Sequence, residues 1–284
     1  MSARSTSAVA AAVAVAADLG HGGVEPVVLR EAWHVLVHLR PLPVVARVSG
    51  PPGPEVDAGQ VQRELAVAAH AAAGGAPVIP PADILDPGPH ERDGHILTFF
   101  RFVEPRGYVA PPAAGRGLRA IHEALADFAE QLPDAGHPGE TARMLDGLPP
   151  SPDVELLHRA FASRPPAGGQ AVHGDAHLAN CLATAGRPLW HDFETACRAA
   201  PEYDLAALVF RDRLGRGDPG ARAALAAYGE HDEAAVEAWL PVYAAWVLAS
   251  MLTVIPRRPE LAPVVHERLD ALSARMGTAR PRRG

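Results

Sequence analysis

His173-Gly174-Asp175-Ala176-His177-Leu178-Ala179-Asn180 and, after nine intervening residues, Trp190-His191-Asp192-Phe193-Glu194 are the stretches on which the reading of this 284-residue chain turns. An aspartate with an asparagine five positions later lets one loop bring a carboxylate and an amide oxygen to the same point. A second aspartate, reached through a strand, a turn at Ala185-Gly186-Arg187 and another strand, supplies a further oxygen there. Oxygen donors of this kind suit a hard divalent cation, and a carboxylate beside them suits the orientation of an attacking hydroxyl. Asn180 is the only asparagine in the chain, and all 26 cationic side chains are arginine, with no lysine. A residue type nearly erased by compositional bias yet present at this one position points to a function there.

His-Gly-Asp-x-x-x-x-Asn followed by Asp-Phe-Glu resembles the aminoglycoside phosphotransferase and choline kinase families of small-molecule kinases. The resemblance covers nearly the whole chain, because a strand-rich first third precedes a helical remainder and Glu202-Tyr203-Asp204-Leu205-Ala206 is similar to the family's Asp-Leu-Ala segment. It implies an α+β, bilobal, protein-kinase-like fold. Residues 1–104 would form a small antiparallel-sheet lobe with one main helix and a hinge at about 99–104. Residues 105–277 would form a larger, mostly helical lobe, and residues 278–284 a mobile arginine-rich tail. It also implies ATP and Mg2+ as cofactors and a hydroxylated small molecule as acceptor. Carried over residue by residue, Asp175 is the base, Asn180 and Asp192 are the magnesium ligands, and His173 props the loop by hydrogen bonding. Asp204 is the acceptor that holds that loop, and Glu194 touches a second metal or a water. Phosphoryl transfer rests on positioning and charge neutralisation, which these residue types supply.

The first third agrees with this in outline and departs from it in two places. Alanine and valine from position 8 to 17 read as a first helix rather than a secretory leader, since the run lacks leucine and phenylalanine and Asp18 closes it. Alternating apolar residues over 27–48 read as strands with Pro41-Leu42-Pro43 between them, 50–59 as a Pro/Gly loop, and 61–73 as a helix ended by Gly74-Gly75. Val78-Ile79 and residues 96–103 read as further strands. Kinases of this type normally place a lysine on the third strand to grip the phosphates, where this chain has Arg47, with Glu64 as its orienting partner. Arginine keeps the charge and donates two bonds, although its planar fork is aimed differently. No Gly-x-Gly-x-x-Gly lies between positions 27 and 39, and Glu31-Ala32-Trp33-His34 makes the turn instead. Adenine is expected against Thr98-Phe99-Phe100-Arg101-Phe102-Val103-Glu104, at Thr98 and the backbone near Phe100 and Phe102, with Phe99 equally suited to plain core.

Beyond position 105 the period becomes helical: 118–132 carries Leu118, Ile121, Leu125 and Phe128 on one stripe, Ser151-Pro152 starts another helix, and 203–276 holds at least three, one bent or broken at Pro241. A formal charge of −7 argues against nucleic acid as a partner. Residues 106–256 hold 12 arginines against 19 acids, which would attract a cationic acceptor if it binds there. No stretch reads as the ~20 apolar residues of a membrane span, and Cys181 and Cys197 are too few for a disulfide framework, so a cytoplasmic protein is expected. Two other functions compete with the kinase: a degenerate kinase fold that binds without catalysis, and a metal-dependent hydrolase using His173, Asp175, His177, His191 and Asp192.

Overall fold

A computed structural model describes residues 2–50, 57–166 and 168–277, so most of the Pro/Gly loop and the arginine-rich tail lie outside the described residues. The chain begins with α1 (Ala3–Asp18), capped by the Ser2 hydroxyl, whose Ala8, Ala12 and Ala16 face is buried. Small side chains let it lie close on a meander of three strands, β1 (Glu25–Glu31), β2 (Val35–Arg40) and β3 (Val44–Ser49). After α2 (Ala58–Ala73), β4 (His90–Arg92) and β5 (His95–Arg101) complete an antiparallel five-stranded sheet in the order β1-β2-β3-β5-β4. Val37, Leu39, Ala46, Leu97 and Phe99 point from one face of this sheet onto α1 and form the smaller of two cores. The alternation in the sequence therefore marks the face that is buried.

The larger core gathers the helices that follow: α3 (Pro111–Ala124), α4 (Pro138–Gly147) and α5 (Pro152–Ala162), then α6 (Glu202–Arg213), α7 (Pro219–Tyr228), α8 (Glu233–Val254) and α9 (Ala262–Arg275). Between α5 and α6 lie β6 (Gln170–Val172), β7 (Cys181–Leu182), β8 (Leu189–Trp190) and β9 (Cys197–Ala199), pairing antiparallel as β6 with β9 and β7 with β8. The inner face of α2, through Val67, Ala68 and Ala71, belongs to this second core as well. That face joins the sheet-bearing part of the molecule to the helical part.

Four local expectations are corrected. Val78-Ile79 makes no strand of the five-stranded sheet; its backbone instead bridges to Trp190, with the Ile79 amide donating to the Trp190 carbonyl at 2.9 Å. The fourth strand is His90–Arg92, a polar segment with no apolar alternation to announce it. The helix expected over 118–132 begins at Pro111 and ends at Ala124, although Leu125 and Phe128 remain buried beyond it. Helix α8 runs unbroken through Pro241 because Leu240, Val242, Tyr243, Ala244 and Ala245 are buried around it, and that packing outweighs one lost backbone bond. At 22 residues α8 is also long and apolar enough by composition to cross a membrane, against the sequence reading, but over half of its apolar window is buried inside the fold.

At the sheet's outer corner, Arg4 of α1 donates to the Ala32 carbonyl at 2.6 Å and to the Trp33 carbonyl, while Ser2 and Ser5 hydroxyls donate to Glu31. The β1–β2 turn is thus fastened to the first helix.

Candidate active site

Strand β6 ends in a loop whose path depends on Gly174. Its φ is +88°, and a Cβ there would sit 1.7 Å from the Thr195 carbonyl oxygen, so only glycine lets the loop pass this close to the segment after Asp192. The loop hangs from Asp204 in the first turn of α6, which is fully buried. The Asp204 carboxylate accepts the amides of His173 and Gly174, both at 2.8 Å, and lies 2.9 Å from His122 Nε2. His122 Nδ1 in turn meets the Tyr228 hydroxyl at 2.8 Å. A carboxylate in a first helical turn also faces the positive end of the helix dipole.

His173 Nδ1 accepts the Asp175 amide at 3.3 Å and its Nε2 donates to the His191 carbonyl at 3.0 Å, with the ring packed on Phe193. Both nitrogens are therefore used to brace the loop. Asp175 itself takes a hydrogen bond from the Tyr243 hydroxyl of α8 at Oδ1, and Oδ2 lies 3.2 Å from Asn180 Nδ2 and 3.4 Å from His177 Nε2. Burial alone would raise its pKa, but the bonds from His177 and Tyr243 and the nearby His173 bring it down to about 2. The carboxylate is ionised at neutral pH.

Asn180 Nδ2 also donates to the Asp175 carbonyl at 3.0 Å, and Asn180 Oδ1 makes no hydrogen bond among the described residues. The β7–β8 pairing of Cys181 with Trp190, extended by a 3.0 Å bond from the His191 amide to the Asn180 carbonyl, sets Asp192 beside Asn180. Asp192 has φ +72° and keeps its side chain about one-third exposed. A free amide oxygen next to a carboxylate fits magnesium, which takes few protein ligands and completes its shell with water and phosphate. Among the described residues no group of three or more His, Cys, Asp and Glu converges as a zinc-type site would require.

The sheet contributes Arg47 from β3. Its guanidinium donates to Glu64 on α2 and to Glu194, and lies 3.4 Å from Asp192 Oδ1. The structure thus brings Arg47, Glu64, Asp192 and Glu194 together from three elements. Burial would lower the arginine's pKa, but Glu64, Glu194 and Asp192 more than offset this and keep it charged. Burial pushes Glu64 up to about 8, with the Asp192 and Glu194 charges adding to the push and Arg47 opposing it. Glu194 is held down at about 2, because bonds from His34 and Arg47 outweigh its burial. Its carboxylate faces Arg47 and His34. Three carboxylates around one guanidinium leave this cleft with an excess of acidic groups.

On the other side of Arg47, Thr98 is its buried register partner on β5, and Phe100 stands opposite Val45. Phe102 stacks on His38 with ring centroids 3.7 Å apart. The amides of Arg101 and Phe102 already donate to Pro80 and Pro43 carbonyls, at 3.0 and 2.8 Å. Donors for a base in this segment must therefore come from outside those two positions.

Two residues were not singled out by the sequence. Tyr243 touches Asp175 from a helix 68 positions away, and nothing distinguishes it from the other aromatic residues of α8. His34 lies 2.9 Å from Glu194 and 2.8 Å from Ser49 Oγ and also meets Arg47, filling the corner beneath the β1–β2 turn. Its place in that glycine-free turn was the available signal. Among the acids of residues 106–256, Asp232 caps α8 and Glu233 pairs with Arg213 at 2.6 Å.

No curated protein matches the chain. Solved structures that share its architecture include an amicoumacin kinase in complex with AMP-PNP, Ca2+ and its substrate, at 13% identity, TM-score 0.70 and coverage of 88% of both chains. A thermostable mutant of an aminoglycoside phosphotransferase in ternary complex with ADP and hygromycin B aligns at 17% identity and TM-score 0.65, over 93% of this chain and 98% of the other. A choline/ethanolamine kinase family protein from Mesorhizobium loti aligns at 18% and 0.60, over 90% and 89%. At these identities the likenesses establish a protein-kinase-like α+β fold. The model described as the phosphotransferase enzyme family matches residues 21–240, from ahead of β1 to within α8 and across Arg47, Glu64, Asp175, Asn180, Asp192 and Asp204, and the chain belongs to that family.

Proposed function

We propose that this protein is a small-molecule kinase that moves the γ-phosphate of ATP, with Mg2+, to a hydroxyl of an acceptor. The observation that carries the reading is the meeting of Arg47–Glu64 from the sheet side with Asp192 and the Asp175–Asn180 loop from the helical side. Phosphates lying against Arg47 would leave their terminal group over Asp175. Magnesium, held by Asn180 Oδ1 and Asp192, would neutralise the charge of the transferring group. Asp175 orients the acceptor hydroxyl and takes its proton as the oxygen bonds to the γ-phosphorus and the β–γ bridging bond breaks. Tyr243 fixes one carboxylate oxygen, so that the group keeps one rotamer during this step. Glu64 and Glu194 aim the Arg47 fork, and His173 and Asp204 hold the loop. The nucleotides and antibiotics in the amicoumacin kinase and aminoglycoside phosphotransferase complexes support the same assignment.

The test is ATP consumption with Mg2+ across a panel of hydroxylated antibiotics, amino alcohols, sugars and hydroxy acids, together with thermal melting in the presence of Mg2+ and ATP. Stabilisation by the nucleotide and turnover on one acceptor class are expected. Absence of both would end the kinase reading. Arg47→Ala is expected to raise the nucleotide KM about tenfold or more, as the loss of a charge-assisted contact predicts. An unchanged KM would return Arg47 to a structural ion pair.

A further inference from the structure

Helices α6 and α9 carry four arginines whose partners differ in kind. Arg213 pairs with Glu233 and Glu237, and Arg275 pairs with Glu237. Arg211 and Arg268 have no carboxylate partner among the described residues. Close by, even the loop residue Arg216 is matched, to Glu267 at 3.2 Å, and Arg222 is matched to Asp212. A chain with 33 acids against 26 arginines has acids to spare, yet leaves these two guanidiniums without one.

Their position is informative. Arg268 lies with its guanidinium carbon 5.0 Å from the centroid of Phe210, and Phe210 packs edge-on against Tyr243 with centroids 5.4 Å apart. Tyr243 donates to Asp175. Two aromatic rings therefore separate Arg268 from the base. Arg268 Nε is buried without any hydrogen-bond partner, and its Nη1 reaches only the Met251 sulfur at 3.7 Å. Arg211 follows Phe210 on α6 and is exposed. On α8 the partly exposed residues Trp246, Val247, Ser250 and Met251 form a stripe between fully buried neighbours, running from Tyr243 to the sulfur beside Arg268. This stripe leads from Tyr243 toward Arg268.

We propose that Arg211 and Arg268 bind an oxyanion, a carboxylate or a phosphate, carried by the acceptor whose hydroxyl is presented to Asp175. The inference rests on the kinase reading and names its substrate class as a hydroxylated organic anion. It reverses the cationic acceptor suggested by the acid excess of residues 106–256. A half-buried guanidinium with an orphaned Nε is costly unless an anion completes it, and an arginine fork matches the two oxygens of such a group. In keeping with this, burial and the neighbouring Arg211 pull the Arg268 pKa below its usual value, the environment an anion would relieve.

The test is thermal melting of the full chain with inorganic phosphate or glycerate as the probe, in the wild type and in Arg47→Gln, Arg211→Gln, Arg268→Gln and Arg268→Lys. A response to phosphate alone identifies a phosphate-bearing acceptor, and a response to glycerate identifies a carboxylate. A rise of about 2–4 °C is expected in the wild type for a probe at roughly ten times its dissociation constant. It should persist in Arg47→Gln, vanish in Arg211→Gln and Arg268→Gln, and return in part in Arg268→Lys. A response kept by both glutamine variants, one lost in Arg47→Gln, or no response of the wild type to either anion overturns the proposal. Stabilisation by ATP with Mg2+, measured in the same samples, reports on the kinase reading separately.

Discussion

Replacing Asp175 by alanine is expected to lower kcat by about 10²–10⁴-fold, the usual contribution of a positioned base, while leaving the nucleotide-dependent rise in melting temperature in place. The separation follows from the geometry. Arg47 and its acidic partners reach the cleft from β3, α2 and the Asp192 segment, and none of their bonds passes through Asp175. The substitution removes the partner of the Tyr243 hydroxyl and one partner of Asn180, so a modest stability loss should accompany it. Steady-state kinetics alongside melting with and without ATP and Mg2+ decides the matter. Turnover within a few-fold of the wild type would remove Asp175 from the chemistry.

Asp204→Ala is expected to be the more damaging substitution for the fold. Its carboxylate is buried, accepts from two consecutive backbone amides and faces His122, so alanine leaves two amides and the His122 ring nitrogen without that partner. Each orphaned donor costs about 1–3 kcal/mol, and loss of one partner from a buried charged network costs about 3–5 kcal/mol. Chemical denaturation should therefore show a loss of roughly that size, with activity falling because His173 and Gly174 no longer anchor the loop. A loss below about 1 kcal/mol would show that the loop is held by other contacts. Asp204→Asn should fall between the two, since an amide keeps only one of the accepting oxygens.

The central segment of the candidate site was legible because its geometry is local. Asp175 and Asn180 share one loop, Asp192 follows a short hairpin, and residue type and spacing suffice to bring them together. Arg47 and Glu64 were legible for a similar reason: a strand facing a helix across a short loop leaves few partners for a buried cation. What escaped depended on distant packing. Tyr243 is one hydroxyl among aromatic residues on an apolar helix, and only the crossing of α8 over the loop turns it toward Asp175. The strand at His90–Arg92 is set by pairing with β5 rather than by hydrophobic alternation, and Val78 serves the backbone of Trp190 rather than the sheet. Pro241 reads as a break only when its surroundings are ignored. In each case tertiary contacts overruled a local rule.

The fastening of the β1–β2 turn to α1 has a consequence for how ligands come and go. Where other kinases cover the phosphates with a glycine-rich flap that can bend by itself, the carbonyls of Ala32 and Trp33 are here tied down by Arg4, and Glu31 by two serines. If this turn roofs the nucleotide in the proposed kinase, that roof would have no hinge of its own. Entry and exit beneath it would then need the first helix and the turn to lift as one piece.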